Sequence, residues 1–167
     1  VYYNKDIFDA KGVEYPDSSK AFAWEDFREK AIALTDDETF GAYGLEAYSN
    51  MFDALLRSAG GSQYNEDWTV STVDSDAART VLTAVKSLRV DDGAAPTAVT
   101  LENAGMNANQ MLQTGKVAML MDGSWSLQEL STLGFNIGIA HAPSFGIDVT
   151  TAQAHQHALY ATTAHPD

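Results

Sequence analysis

The chain has no cysteine, which excludes disulfides, thiolate metal sites and a cysteine nucleophile. That absence leaves the compartment open, because exported bacterial proteins also do without cysteine. Positive charge is scarce: Lys and Arg total 10 against 23 Asp and Glu, a formal charge of -13. A long polyanion would be repelled across most of such a surface, so nucleic acid is not an expected partner. Long hydrophobic runs are missing too, and nothing approaches the ~20 apolar residues that cross a bilayer or has the form of a signal peptide. Val1-Tyr2-Tyr3-Asn4 lacks an initiator methionine and opens directly on strand-like residues. This predicts a segment of a longer polypeptide, with any export signal or lipid anchor outside it. What remains is ordinary globular material: 167 residues, 45% hydrophobic and 20% charged, enough for one well-packed domain.

The most informative stretch is Val117-Ala118-Met119-Leu120-Met121-Asp122-Gly123-Ser124-Trp125. An unbroken apolar run too short for an ordinary helix, closed by Asp-Gly, predicts a strand buried on both faces. Ser124 is suited to start a helix, and leucines at 127, 130 and 133 follow at helical spacing. Ligands of open α/β sheets bind in the crevice outside the carboxyl ends of the strands. Asp122, Ser124 and Trp125 therefore stand at a potential site. The plainer alternatives are a core tryptophan and an aspartate serving turn chemistry.

Taken in order, residues 1–3 predict a short strand and Ile7-Phe8 a brief helical turn ended by Gly12. Trp24, Phe27, Ala31 and Leu34 recur at helical steps, making an amphipathic helix with Trp24 as a core anchor. Asp36-Asp37-Glu38 reads as solvated acidic surface, a cation site being the weaker alternative. Phe40 to Ala47 is strand-like. Glu46, Tyr48, Ser49 and Asn50 then lead into a helix through Met51, Phe52, Leu55 and Leu56 that Gly60-Gly61 closes. This second polar and aromatic cluster also sits at a strand-to-helix junction, although Ser49 serves equally as a simple helix cap. Gln63 to Val73 predicts an irregular excursion with Trp68 and Val70 covering the core. Asp74-Ser75 caps a helix with Ala78, Val81, Leu82, Val85 and Leu88 on one stripe. Thr100 caps another carrying Leu101, Ala104, Ala108, Met111 and Leu112 inward until Gly115. Phe135 to Ala140 predicts a strand broken by Pro143, and Ala158 to Ala161 a further strand-like run. His155 and His157, two apart on a strand, would share one face at the spacing of a minimal metal pair. Without cysteine or an obvious third ligand, they read instead as a polar strand face beside a cleft.

Read together, these segments resemble the extracellular solute-binding proteins of bacterial ABC importers, in the carbohydrate-binding family that includes maltose-binding protein. The resemblance rests on Tyr2-Tyr3-Asn4-Lys5-Asp6-Ile7-Phe8 with Gly12-Val13, Trp24-Glu25-Asp26-Phe27 and Gly60-Gly61. It continues in Gly115-Lys116-Val117-Ala118-Met119, Asp122-Gly123-Ser124-Trp125 and Gly138-Ile139-Ala140 leading to Pro143. It implies an α/β fold: a periplasmic-binding-protein-like lobe, of type II, with a central sheet flanked by helices on both faces. Residues 1–142 would be the second lobe of a two-lobe protein and residues 143–167 the crossover and strand returning toward the first. The implied ligand-binding residues are Trp125 as an aromatic platform, Tyr48 with Glu46 and Ser49, and Asp122 as a hydroxyl acceptor. His155 and His157 stand where the family often has glycines, so contacts there depart from the pattern. Ala23 likewise stands where Thr or Ser commonly caps the helix at Trp24.

The implied function is the binding component of an ABC sugar importer, which captures a mono- or oligosaccharide between two lobes and delivers it to permease subunits. The parent would be a monomer working outside the cell, in the periplasm or lipid-anchored at the membrane's outer face, without metal or other cofactor. The alternatives are a glycosidase using Glu46 and Asp122 as its acid and base, and a solute sensor that signals through the same lobes.

Overall fold

The computed structural model describes residues 1–45, 50–152, 158 and 160–163. Its sheet has four strands, β1 (Tyr2–Asn4), β2 (Phe40–Tyr43), β3 (Val117–Leu120) and β4 (Ile137–Ile139), in the order β2-β3-β1-β4. β3 runs parallel to β2 and antiparallel to β1, and β1 is antiparallel to β4. Every residue of β3 is buried, as an apolar run without alternation requires of a strand covered on both sides.

The covers are helical. One hydrophobic cluster joins Tyr3, Ala118 and Met119 to α2 (Trp24–Leu34), α3 (Asn50–Ser58) and α4 (Asp76–Lys86). The other joins Tyr2, Val117 and Leu120 to α6 (Ala108–Gln113) and α7 (Leu127–Thr132). Adjacent tyrosines of β1 thus enter opposite clusters, which places helices on both faces of the sheet. α1 (Lys5–Lys11) follows β1 directly, Asn4 capping it through Asp6 N–H at 3.1 Å. α2 lies hard against β2, because a Cβ at Gly41 would fall 1.8 Å from the Ala31 carbonyl oxygen.

α2 buries Trp24, Phe27, Ala31 and Leu34 as its spacing predicts, and Trp24 is only 3% exposed. Ala23 indeed supplies no side-chain cap. The helix start is held instead by Trp24 N–H donating to the Ser144 carbonyl at 2.9 Å and by Phe145 stacking on Trp24 at 4.9 Å. Ser75 caps α4 through Ala78 N–H at 3.2 Å. Val81, Val85 and Leu88 are buried, but Leu82 is exposed, falling outside the stripe.

Two further expectations are corrected. The single helix expected between Thr100 and Gly115 is two, α5 (Ala98–Ala104) and α6. Gly105, at φ 61, ends the first in a left-handed conformation that costs glycine little. Asn107 and Gln110 then restart the chain with a reciprocal capping box, and Thr97, not Thr100, caps α5. The strand expected over Ala158 to Ala161 is absent among the described residues there: 158 and 160 are irregular, 161 and 162 lie in a turn, and Tyr160 is exposed.

The acidic loop is structural. Lys11 Nζ donates to Asp36 Oδ2 at 2.6 Å, and Asp36 Oδ1 accepts from the Glu38 and Thr39 N–H groups at 2.9 Å each. The Lys11 contact first, and then the backbone donors, hold the Asp36 carboxyl down to about 2 from its ordinary 3.8. A carboxylate depressed in the folded state contributes stability above its unfolded value and loses it as pH falls through the folded one. The stabilisation of wild type over Asp36→Asn should therefore be full above about pH 4 and vanish toward about pH 2. Melting temperatures of the two proteins across that window check this, and a pH-independent difference would refute it.

A candidate ligand cleft at the strand ends

β3 and β4 finish, and β1 begins, at one end of the sheet. There they open into a cleft of about 1450 Å³. Residues 121–125 and 140–142 line its floor, α3 forms one wall, and residues 62–66 with Trp68 form a lip.

Past β3 the strand ladder runs one step further, Met121 N–H donating to the Tyr43 carbonyl at 2.9 Å. The chain then turns through a 3-10 turn (Ser124–Ser126) into α7. Ser124 is not the helix cap its position suggests, since no side-chain cap bond forms at the turn or at α7. Asp122 ties the corner instead: Oδ1 accepts from Gly123 N–H at 2.7 Å and Oδ2 from the buried Ser126 hydroxyl at 2.5 Å. From β1, the Tyr2 hydroxyl donates to the Gly123 carbonyl at 2.9 Å. Burial first, and then the nearby Asp122 charge, push the Tyr2 phenol upward from its ordinary value. It stays a neutral donor through the physiological range.

This corner presents Trp125, which is 56% exposed. A Cβ at Gly123 would fall 2.2 Å from indole Cζ3, so the ring lies against a backbone with no side chain beneath it. Gly123 has an extended backbone, φ -82 and ψ 173, that any residue can adopt. The glycine is needed for the ring to lie down. The structure thus brings Asp122, Ser124 and Trp125 together at the cleft. Asp122 reaches it with both oxygens already engaged by the corner. Glu46, Tyr48, Ser49, His155 and His157 lie outside the described residues.

Two features were missed by the sequence reading. Trp68 and Val70 do not cover the core: Trp68 is 71% exposed at the lip, and Val70 is exposed as well. The Trp68 ring stacks on Tyr64 with centroids 5.5 Å apart and planes 28° from parallel. On the wall, Arg57 Nε donates to Asp53 Oδ2 at 2.7 Å and Gln63 Nε2 to Asp53 Oδ1 at 3.3 Å, so these cleft charges are paired. The four-residue spacing of Asp53 and Arg57 on a helix was a legible signal for that pair. No comparable signal marked Trp68, since an aromatic in a polar stretch is as often buried as displayed.

The layering and the cleft at the strand ends define a type II periplasmic-binding-protein lobe, and solved structures bear this out. An ABC substrate-binding protein from Listeria monocytogenes in complex with cycloalternan superposes with a TM-score of 0.76 at 29% identity, covering 86% of this chain and 36% of that one. The GacH receptor of Streptomyces glaucescens, whose structures include complexes with acarbose and an acarbose homolog, gives 0.63 at 25%, with 86% and 36% covered. A Thermotoga lettingae ABC transporter solute-binding protein bound with α-D-tagatose gives 0.70 at 20%, with 86% and 38% covered. The chain thus spans little more than a third of the length of these structures. Comparison with curated proteins gives no match. The profile described as bacterial extracellular solute-binding protein matches residues 1–167, and the chain belongs to that family.

Gly123→Ala should displace the indole without harming the fold, since the backbone there suits alanine and the clashing ring is free to swing outward. The expected result is loss of the near-UV circular dichroism contributed by Trp125, as defined by Trp125→Phe, with an almost unchanged melting temperature. Retention of that band in the alanine variant would show that the ring does not rest on residue 123.

Proposed function

We propose that this chain is the second lobe of a two-lobe solute-binding protein that works outside the cytoplasmic membrane and serves an ABC importer. Residues 1–142 form the lobe and residues 143–167 lead back toward the first. The ligand is a neutral mono- or oligosaccharide, held in the interlobe cleft and handed to permease subunits by a protein that acts as a monomer. The observation that carries this is the half-exposed indole at the strand ends, lying flat on Gly123 with its outer face toward the cleft. Sugar rings offer apolar C–H faces that pack on such a surface. Pairing of Arg57 with Asp53 and of Asp122 with its own corner favours an uncharged ligand, because a ligand charge would compete with bonds already made. Family membership and the sugar complexes among the structural relatives support the same reading.

Binding is favoured over glycoside hydrolysis. A catalytic acid or base needs a carboxyl committed to proton transfer with the glycosidic oxygen or a water, whereas Asp122 is tied into the corner by Gly123 N–H and the Ser126 hydroxyl, which suits it to orient a bound ring. In this reading Asp122 positions the platform and accepts sugar hydroxyls with its remaining lone pairs. Tyr48, Glu46, Ser49, His155 and His157 are proposed as the remaining contacts of this lobe.

The test uses the two-lobe protein with an oligosaccharide panel, following tryptophan fluorescence alongside release of reducing ends. Quenching without product is expected, and steady product formation would overturn the proposal. Trp125→Ala should lower sugar affinity by about tenfold or more while leaving the melting temperature nearly unchanged. A large fall in melting temperature would mean that the ring serves the core. The isolated lobe should bind weakly or undetectably, since it lacks the opposing contacts and the closure that desolvates them.

A further inference from the structure

The loop between Gly61 and Val73, which forms the lip of the cleft, is densely hydrogen-bonded within itself. Among the described residues, Trp68 is the only one other than glycine with positive φ, at 58°. A bulky side chain there is strained, and such strain persists only where surrounding bonds over-determine it. Those bonds are present. Asn65 Oδ1 accepts from the N–H groups of Thr69 and Val70 at 2.9 and 3.1 Å, Trp68 N–H donates to the Asn65 carbonyl at 3.0 Å, and Asn65 N–H to the Val70 carbonyl at 3.0 Å. Below them Tyr64 bridges Ser71, and Thr72 N–H donates to the Gln63 carbonyl at 2.9 Å.

The product of this bracing is an exposed indole backed by the half-exposed Tyr64 ring, at the lip of the cleft that holds Trp125. A left-handed backbone at a tryptophan that stays 71% exposed adds little to the core. Its effect is to aim the ring.

We propose that Trp68, backed by Tyr64, is an outlying aromatic subsite that takes the distal rings of a longer oligosaccharide whose proximal ring stacks on Trp125. This rests on the sugar-binding reading above and extends it from a ring-sized site to a chain-length selector. Trp68 and Trp125 line one continuous cleft, as a chain that reaches both rings requires. Aromatic stacking is tolerant of ring identity, so the subsite reads length more than linkage or epimer.

The experiment is calorimetric titration of the two-lobe protein with maltose to maltohexaose, cellobiose to cellohexaose and xylobiose to xylohexaose. Wild type is compared with Trp68→Ala and Trp68→Gly. The glycine variant removes the ring and also relieves the left-handed strain, so its melting temperature should equal or exceed that of wild type. Both variants should lose about tenfold in affinity for the longer members of the bound series and bind the shortest as wild type does. Equal loss at every length, or no loss at any, overturns the subsite while leaving the sugar-binding reading intact. A wild-type protein that binds no member of any series overturns this inference, and the sugar-binding reading falls with it only if a wider panel of mono- and oligosaccharides also leaves the tryptophan fluorescence unchanged.

Discussion

Burial of β3 on both faces is the constraint from which the rest follows. A strand with no wet side must have neighbours in the sheet and helices above and below, and its chain can reach solvent only at its ends. Here the ladder closes with Met121 N–H on the Tyr43 carbonyl. Beyond that bond the backbone needs partners that no further strand supplies. The Asp122 carboxylate and the Tyr2 hydroxyl provide them, bonding the Gly123 N–H and carbonyl. The residue that follows this fixed corner by two positions is Trp125. Its backbone position is thus inherited from the sheet.

Much of this was legible in the sequence, because patterns set by one element's own burial are local. The apolar run at 117–121, the helical stripe from Trp24 to Leu34 and the Ser75 cap each record one element's surroundings in its own residues. What escaped depends on contacts between distant segments or on conformations that side-chain chemistry does not announce. Apolar spacing carries straight across residues 101–112 as if one helix were present, yet Gly105 followed by a capping box divides it. Leu82 sits in step with its neighbours but outside the sector that packs. At Asp122 the sequence places a carboxylate at the strand end but does not reveal that the turn folds Gly123 N–H and the Ser126 hydroxyl onto its oxygens. Trp68 was assigned to the core on hydrophobicity, and only its backbone angle explains why it is not there.

Charge imposes a second constraint. Among the described residues at least seven of the ten cationic side chains stand in ion pairs, against an acidic surplus of 13. Exposed pairs of this kind add little stability each. Their consequence is instead one of selection, since few positive groups remain to attract an anion, and the one arginine on the α3 wall of the cleft is bonded to Asp53. An uncharged, hydroxyl-rich solute is the kind of molecule such a surface neither repels nor needs to neutralise.

The two exposed indoles differ in what holds them, and that difference argues for a division of labour. Trp125 stands one turn from a fully buried strand, so its backbone is held by the corner bonds and the ring needs only to rest on Gly123 to face a ligand. Trp68 stands on a loop whose stability comes from its own side-chain bonds, with a backbone angle that favours rearrangement if those bonds loosen. Affinity common to all ligands is better built on the first, because a preformed surface serves every ring that reaches it. Discrimination among ligands of different length is better built on the second, where contact is made only by those long enough to arrive. Under the proposed reading, in which a second lobe closes over a bound chain, this order would let the platform engage first and the lip respond to how far the chain extends.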